Sequence, residues 1–364
     1  MVDLVVHESL VIQSHTGPYE AHFSSVLLKD TSILLAGTPH FIVDANVSRL
    51  YEKKMATILD CSNVILVEAT EENKSIERII SVIERLITAG IRRDHVLVAI
   101  GGGIIQDITC FISSTLLRGI PWKFVPTTLL AQADSCIGSK SSVNLGATKN
   151  ILGTFNPPRK IFICTEFLNT LQEKDINSGI GEILKVHAID RSDSFDRAAA
   201  DYDRMLAERP VLLAYIRAAL LIKKRYIESD EFDRGIRNVF NYGHSFGHAI
   251  ESATNFWVPH GIAVSMGMDM ANHIAVMRAV LPESRYFAMR QVLRKNYARY
   301  CKVDIHIESF FDALLKDKKN SSTQLGLIFP TGLEAKVERV AVVPDDKFRS
   351  QCIAALEAFR HESD

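Results

Sequence analysis

Short apolar runs alternate with helix-type segments over roughly the first 170 residues. The runs have the length and aliphatic content of buried strands, and they lie at 33–37, 40–45, 63–69, 95–100 and 122–126. Residues 75–90 instead carry apolar side chains at helical spacing and end in Gly90, which predicts an amphipathic helix. This alternation predicts a mainly parallel sheet that is covered by helices.

The pattern changes to long helices in the second half of the chain. The predicted helices are 179–190, 208–228, 238–255, 260–281 and 283–299, and strand signals remain only at 325–330 and 337–343. We therefore predict an α/β N-terminal domain with a mainly parallel, Rossmann-like sheet at 1–170 and a mostly α-helical C-terminal domain at 171–364. The two prolines of FNPPRK (155–160) favour a break in regular structure near the junction.

Composition narrows the class of protein. The chain has 364 residues, 47% hydrophobic and 23% charged, which is ordinary globular usage. Its 42 basic and 43 acidic residues nearly cancel, which argues against a nucleic-acid or anionic-membrane partner. Its six cysteines form no CxxC pair, and no apolar run reaches the about 18 residues of a membrane helix. We expect a cytoplasmic protein with reduced thiols.

A glycine-rich segment, GGGIIQD (101–107), follows one predicted strand and opens an apolar helical run. Such a turn lets a phosphate approach the backbone NH groups of a helix N-terminus, but a tight turn without a ligand has the same pattern. The threonines of VPTT (125–128) end another strand at the same predicted sheet edge. Asp44 also ends a predicted strand. Its carboxylate is suited to accept hydrogen bonds from ribose hydroxyls, but an ordinary turn aspartate has the same pattern.

Histidines are concentrated in one helical segment. NYGHSFGHAIE (241–251) places His244 and His248 four residues apart on one helix face, and His260 follows after Pro259. Together with Glu182 of GIGEILKVHAI, these side chains are suitable ligands for a divalent metal, zinc above all. The i,i+4 spacing favours His244 and His248 as the ligand pair. It does not exclude His260, so which two histidines bind the metal stays open.

The segment QADSCIGSKSSVNLGATKN (132–150) is too polar and too rich in glycine and serine for a strand or a buried helix. We expect it to be irregular. Its polar residues, together with those of the helical half, would form a cationic cup for a small polyanion if they converge. They are Asp134, Lys140, Asn144, Lys149, Asn150, Lys185, Lys223, Arg237 and Asn241.

These motifs, taken in order, resemble the 3-dehydroquinate synthase and sugar phosphate cyclase family from about residue 40 to 330. The resemblance is carried by GGGIIQD, RGIPWKFVPTTLLAQADSCIGSKSSVN, KNILGTFNPP, GEILK, RNVFNYGHSFGHAIE, HGIAVSMGM and DKKN. It implies a two-domain, homodimeric lyase that uses NAD and Zn2+ or Co2+. Such an enzyme closes a sugar phosphate into a carbocycle through oxidation, phosphate elimination, reduction and aldol cyclisation.

The resemblance also implies roles for individual residues. The positions that match NAD-binding ones are Asp44, Glu71, Lys74, Gly102, Gly103, Asp107, Thr127 and Thr128. The implied metal ligands are Glu182, His244 and His260, with His248 contacting the phosphate instead. The implied catalytic and substrate-binding positions are Asp134, Lys140, Lys149, Asn150, Lys185, Asn241, Lys318, Arg118 from the partner subunit of a dimer, and the carboxylate-binding pair Lys223 and Arg237.

Several readings of the function stay open at this point. Arg237 and Lys223 favour a heptulosonate 7-phosphate (DAHP) substrate and hence the shikimate pathway of aromatic amino acid biosynthesis. Departures such as GSKSS, GGGIIQD and Cys164 leave open a cyclase of secondary metabolism that acts on sedoheptulose 7-phosphate, glucose 6-phosphate or amino-DAHP. An NAD- and metal-dependent alcohol dehydrogenase and a non-catalytic binding protein are the readings from other classes.

Overall fold

The computed structural model describes residues 9–146, 148–316 and 324–359. These residues divide into two compact units. The first contains the described residues up to Leu171 together with Lys223–Phe232, and the second contains Gln172–Ile222 and the described residues from Asp233 onward. Among the described residues, no helix combines the length and apolar character needed to cross a bilayer.

The first unit is built on a seven-stranded sheet and a separate hairpin. Its strands are β1 (Ser9–Ile12), β2 (Tyr19–Phe23), β3 (Pro39–Asp44), β4 (Val64–Val67), β5 (Val96–Gly101), β6 (Trp122–Pro126), β7 (Lys140–Leu145), β8 (Thr148–Phe155) and β9 (Lys160–Ile163). The sheet order is β1-β2-β9-β6-β5-β3-β4, and all neighbours except β1 and β2 are parallel. This confirms the predicted α/β sheet.

Helices cover this sheet because its central strands are apolar on both faces. All residues of β5 are buried, as expected for a strand packed between two helical layers. The first-unit helices are α1 (Ser32–Leu35), α2 (Ala45–Leu50), α3 (Ala56–Leu59), α4 (Ile76–Thr88) and α5 (Gly103–Thr115). Helix α4 confirms the predicted amphipathic helix, and Gly90 follows it with a φ of +72°.

Two local predictions for the first unit were wrong. Residues 33–37 form helix α1 and a turn rather than a strand, because Gly37 reverses the chain at a φ of +88°. The segment 132–150 is regular, with a π-helical turn at Ala131–Ser135 and the β7–β8 hairpin. The buried Gln132 is tolerated there because its amide donates hydrogen bonds to the carbonyls of Pro126 and Cys164. The break in regular structure predicted at FNPPRK (155–160) is present, between the end of β8 at Phe155 and the start of β9 at Lys160.

The second unit is mainly helical, as predicted. Its helices are α6 (Glu173–Asp190), α7 (Ser192–Ala200), α8 (Tyr202–Ala207), α9 (Arg209–Ser229), α10 (His244–Ala253), α11 (His260–Met277), α12 (Glu283–Tyr297), α13 (Ile307–Leu315) and α14 (Asp346–Ala358). The strands β10 (Leu325–Thr331) and β11 (Lys336–Val342) form an antiparallel hairpin. Helix α9 starts in this unit, and its residues from Lys223 belong to the first unit.

Glycines bring α6 and α10 close to α11 at the centre of the second unit. A Cβ on Gly261 would overlap the carbonyl oxygen of Ser178, and one on Gly267 would overlap that of Gly243. Since no side chain separates the backbones at these points, α11 is buried along most of its length. The first residues of α10 and α11 therefore lie beside the middle of α6.

Candidate active site

Glu182 lies at the centre of the helix crossing in the second unit. Its side chain is 1% exposed, and its Oε1 accepts no hydrogen bond from the described residues. The ammonium group of Lys185, one turn along α6 and also buried, is in ion-pair contact with Oε2. A buried carboxylate oxygen without a donor is costly, which marks this position as one suited to a cation.

Two histidines direct a ring nitrogen toward this carboxylate. The Nε2 atoms of His244 and His260 lie 3.8 Å and 3.5 Å from Glu182 Oε1. The other ring nitrogens contact acceptors, with His244 Nδ1 3.3 Å from the carbonyl oxygen of Tyr242 and His260 Nδ1 3.1 Å from Glu251 Oε2. An imidazole whose Nδ1 donates a hydrogen bond presents the Nε2 lone pair, which is the arrangement of a metal-ligating histidine.

His248 completes a group of three imidazoles. One potential ligand nitrogen from each of His244, His248 and His260 lies within 4.8 Å of the others, and His248 is the exposed member. The structure thus brings together both the histidine pair favoured by spacing and the pair implied by the resemblance. The contacts of Glu182 Oε1 are with His244 and His260.

The electrostatics of the cluster favour bound positive charge. Burial by itself raises the pKa of Glu182, but Lys185 and His260 outweigh it and hold that pKa well below its usual range. Burial lowers the pKa of His260, whereas Glu251 and Glu182 raise it more, to about 10. A dication could take the place of this proton, and one carboxylate with neutral imidazoles is a donor set that suits Zn2+ or Co2+. The residues therefore fit a divalent metal.

In the first unit the glycine loop lies where the sequence predicted, between β5 and α5. A Cβ on Gly102 would lie 2.9 Å from Thr128 Cγ2, and the Thr127 amide donates to the carbonyl of Gly101 at 2.9 Å. Among the described residues no side chain caps the N-terminus of α5 by a hydrogen bond, and a Cβ on Gly103 would meet nothing within 4 Å, so the amides and the positive dipole end of the helix are available to a phosphate. Burial is the largest influence on the Asp44 carboxyl and raises its pKa.

Asp44 lies at the same edge of the sheet, because Val43 pairs with Ile100 and Gly101 follows. Its Oδ1 accepts the amide of Asn46 at 2.8 Å and caps α2. Asp44 therefore has the structural role of a turn aspartate, and this role is compatible with the predicted contact to a ribose.

A hydrogen-bond network joins several predicted cofactor residues to the β7–β8 hairpin. Lys74 Nζ lies 2.7 Å from Asp107 Oδ2, and both side chains are largely buried. Asn144 Nδ2 donates to Glu71 Oε1 at 2.9 Å, while Asn144 Oδ1 accepts the Asn150 amide at 2.8 Å. The network brings Glu71, Lys74, Asp107 and Asn150 together through Asn144, which the sequence named only as one polar residue of the segment 132–150.

The sequence predicted Asn144 only as one polar residue of the cationic cup, without a link to the cofactor residues. Its only signal in the sequence was its place in the polar segment, which does not distinguish it from neighbouring polar residues. The register of β7 determines the contacts of Asn144, because it pairs Asn144 with Ser75 in an isolated parallel bridge. Glu251 was missed for a similar reason, since nothing in NYGHSFGHAIE says that its last residue faces His260.

The remaining predicted residues are distributed over both units. In the first unit, Lys223 Nζ contacts Asp134 at 2.9 Å to Oδ1 and 2.6 Å to the carbonyl oxygen. Lys140 and Lys149 are exposed on the hairpin, and Arg118 is exposed in the turn after α5 with a φ of +66°. In the second unit, Arg237 is buried and Asn241 donates to the carbonyl of Asn238. Lys318 lies outside the described residues.

Comparisons with known proteins agree with this architecture. The family model described as 3-dehydroquinate synthase N-terminal matches residues 64–178, and its C-terminal counterpart matches residues 179–320. A 3-dehydroquinate synthase from Alkaliphilus metalliredigens is 32% identical over 350 residues, which cover 93% of this chain and 97% of that protein.

Two solved structures share the whole fold. A 2-epi-5-epi-valiolone synthase from Streptomyces hygroscopicus with NAD+ and Zn2+ bound is 25% identical with a TM-score of 0.78, covering 94% of this chain and 96% of that one. A 2-deoxy-scyllo-inosose synthase complexed with carbaglucose-6-phosphate, NAD+ and Co2+ has a TM-score of 0.80 at 23% identity, covering 97% and 99%. The second likeness concerns the fold alone.

Proposed function

Because the chain belongs to the 3-dehydroquinate synthase family, we propose that it is an NAD- and metal-dependent cyclase that converts a heptulosonate 7-phosphate, DAHP, to a carbocycle with release of phosphate. The observation that carries the proposal is the buried Glu182 carboxylate with the Nε2 atoms of His244 and His260 beside its Oε1. This donor set suits a dication that must also bind a substrate oxygen.

We assign Glu182, His244 and His260 as the metal ligands. Glu182 Oε1 lacks a hydrogen-bond donor, and the Nδ1 contacts of both histidines leave Nε2 as the ligand atom. A dication held there would lower the pKa of a substrate hydroxyl, and NAD would supply a reversible hydride acceptor. His248 is exposed beside these ligands and is assigned to the substrate phosphate.

We assign Lys185 to the substrate hydroxyl whose carbon is oxidised. Its ammonium group contacts Glu182 Oε2 and lies 5.7 Å from the centre of the Phe240 ring, so packing holds it in place. A buried cation next to the ligand carboxylate stabilises negative charge that develops on a substrate oxygen. The proton that leaves the substrate carbon goes to an oxygen of its own phosphate, so no side chain must act as a strong base.

The substrate carboxylate is assigned chiefly to Arg237. Lys223 already contacts Asp134, so that pair is close to neutral and contributes little net charge to binding an anion. Arg237 is buried, and its guanidinium can hold a carboxylate through two parallel hydrogen bonds. A neutral sugar terminus would not form an ion pair with this guanidinium, so Arg237 favours a substrate with a carboxylate.

NAD is assigned to the first unit. The open N-terminus of α5 at Gly102 and Gly103 binds its pyrophosphate, and Asp44 at the adjacent strand end accepts ribose hydroxyls. The Lys74–Asp107 pair and Glu71 support the loop that borders this site. Lys140, Lys149 and Asn150 on the hairpin are assigned to the phosphate of the substrate, with Lys318 as an additional cation.

We also propose a homodimer in which Arg118 of one subunit binds the substrate phosphate of the other. The residue is exposed in a turn with a positive φ, where a long side chain can extend from the surface. If Arg118 acts across subunits, mixing Arg118→Ala with Glu182→Ala protein restores activity in the hybrid dimer. Absence of restoration in a demonstrated hybrid dimer would place Arg118 in its own subunit's site.

The second candidate is another sugar phosphate cyclase. It is favoured by the likeness to the valiolone synthase, whose identity of 25% extends over 94% of this chain. The two candidates differ only in the sugar phosphate that enters the site.

Phosphate release from a substrate panel tests the proposal. Purified protein with NAD and Zn2+ or Co2+ is offered DAHP, amino-DAHP, sedoheptulose 7-phosphate and glucose 6-phosphate. We expect release from DAHP without net NADH accumulation, and none with Glu182→Ala of unchanged stability. Release only from a neutral sugar phosphate would support the second candidate, whereas accumulating NADH would indicate a dehydrogenase.

A further inference from the structure

We propose that Glu251 is a positioning residue for the metal ligand His260 and that it raises the affinity of the site for a dication. The inference rests on the metal site of the proposed function and adds a residue to it. Glu251 lies in the last turns of α10, nine residues before His260 at the start of α11.

The contact between the two side chains fixes the ligand atom. Glu251 Oε2 lies 3.1 Å from His260 Nδ1, and the carboxylate is 13% exposed. A carboxylate accepts a hydrogen bond from Nδ1–H, so the lone pair of the neutral ring stays on Nε2. That nitrogen lies 3.5 Å from Glu182 Oε1, on the metal side of the ring. Glu251 thus determines both the tautomer and the orientation of His260.

Charge gives Glu251 a second role. The carboxylate of Glu182 is paired with the ammonium of Lys185, and both side chains are at most 2% exposed. This buried pair is neutral overall, so the immediate ligand set provides little net attraction for a dication. Glu251 would supply a further negative charge, one imidazole ring away from a dication held by His260 Nε2.

His244 offers an internal comparison. Its Nδ1 contacts the backbone carbonyl of Tyr242 at 3.3 Å, which orients the ring without adding charge. The Nδ1 contact of His260 is thus with a side chain, which a substitution can remove, whereas that of His244 is with the backbone. This makes the contribution of Glu251 separable from the ligands themselves.

Metal affinity of the metal-free protein tests the inference. Co2+ is titrated in competition with a chromophoric chelator, and the visible absorption of bound Co2+ is recorded for each variant. Removal of a carboxylate partner of a ligating histidine weakens metal binding by about 10-fold to 100-fold, so this loss is expected for Glu251→Ala, with an altered Co2+ spectrum. Glu251→Gln keeps an oxygen that can accept from Nδ1, so its spectrum stays close to wild type and its loss is smaller.

The chain contains a matched control. In the first unit, Glu231 Oε1 contacts His15 Nδ1 at 2.9 Å with a similarly buried carboxylate, so Glu231→Gln removes the charge from the same kind of pair at residues outside the ligand set and is matched to Glu251→Gln. Its Co2+ affinity should equal that of wild type. If Glu182→Ala loses Co2+ while both Glu251 variants bind as tightly as wild type, the inference is overturned and the metal site remains. If Glu182→Ala itself binds Co2+ like wild type, the site of the proposed function fails instead.

Discussion

Gly181 of α6 and Gly261 of α11 pack so closely that a Cβ on Gly181 would overlap the carbonyl oxygen of Gly261. Glu182 follows the first glycine in the chain, and His260 precedes the second. At the start of α10, a Cβ on Gly243 would lie 2.5 Å from the carbonyl oxygen of Val264, and His244 follows that glycine. Each assigned ligand thus adjoins a glycine that lets two helix backbones meet.

We expect Gly261→Ala to damage stability and metal binding together. The added methyl group would overlap backbone atoms of Ser178, which cannot move aside as a flexible side chain can. Overpacking of this kind costs about 3 kcal/mol or more of the free energy of unfolding. Urea unfolding measures the loss, and Co2+ competition measures the accompanying fall in affinity.

Gly103→Ala is the control for stability, because a Cβ there meets nothing within 4 Å. It should unfold at nearly the same urea concentration as wild type. Equal stability of Gly261→Ala and Gly103→Ala would contradict the close approach of α6 and α11.

Arg237→Ala should identify the substrate class. Loss of a buried guanidinium that pairs with a carboxylate costs about 2 kcal/mol or more, roughly a thirtyfold fall in kcat/KM for an acidic sugar phosphate. Turnover of a neutral sugar phosphate should change little. Arg225→Ala, at an exposed position of α9, controls for loss of positive charge. An unchanged kcat/KM for DAHP in Arg237→Ala would refute the carboxylate assignment.

Asn144→Ala should weaken NAD binding although the residue has no assigned contact with NAD. The substitution removes the hydrogen bond to Glu71 Oε1, which holds the hairpin against the 71–75 loop, and the bond from the Asn150 amide, which joins the two strands of the hairpin. The loss of two such bonds predicts about a tenfold rise in the Kd for NAD, measured by fluorescence titration.

Asn144→Asp separates the two contacts of this side chain. It keeps an acceptor for the Asn150 amide but sets a carboxylate beside Glu71, so NAD binding should suffer at least as much as in Asn144→Ala. The exposed Asn169→Ala in the same unit should bind NAD normally. Normal binding by both Asn144 variants would show that the network does not support the NAD site.

His187 predicts a pH dependence of stability outside the metal site. Burial lowers its pKa to about 4, with Asp190 favouring the proton and Arg197 opposing it. Because unfolding restores a pKa near 6.5, the unfolded chain binds a proton that the folded protein resists between pH 6.5 and 4. This contribution to the free energy of unfolding is complete above pH 6.5 and falls as the pH falls.

The comparison with His187→Gln isolates this contribution from all other titrating groups. Between pH 7.5 and 5, wild type should lose about 2 kcal/mol more of its unfolding free energy than the variant, as measured by urea unfolding. Parallel pH profiles of the two proteins would show that His187 titrates normally in the folded state.

The sequence predicted the central strands and the amphipathic helix α4 because their signals are local. The runs at 40–45, 95–100 and 122–126 are continuous and apolar, and they became β3, β5 and β6. The run at 33–37 is as long as the run at 122–126, and a run of five apolar residues does not separate a strand from a turn of helix; residues 32–35 are helical, and Gly37 follows in a turn with a positive φ. Hairpin β7–β8 was hidden because the small polar residues of β7 (KSSVNL) give no alternation of apolar and polar positions.

The sequence by itself determined the fold class, the place of the glycine loop between strand and helix, and the chemistry of the candidate ligands. Periodicity and residue type suffice for these, since each depends on neighbours in the chain. Only the tertiary structure decided that Glu182 lies beside His244 and His260, that Glu251 faces one of those rings, and that Asn144 joins a hairpin to a distant loop. These relationships depend on how closely separate elements pack, and glycine contacts and strand register set that distance, which no local pattern records.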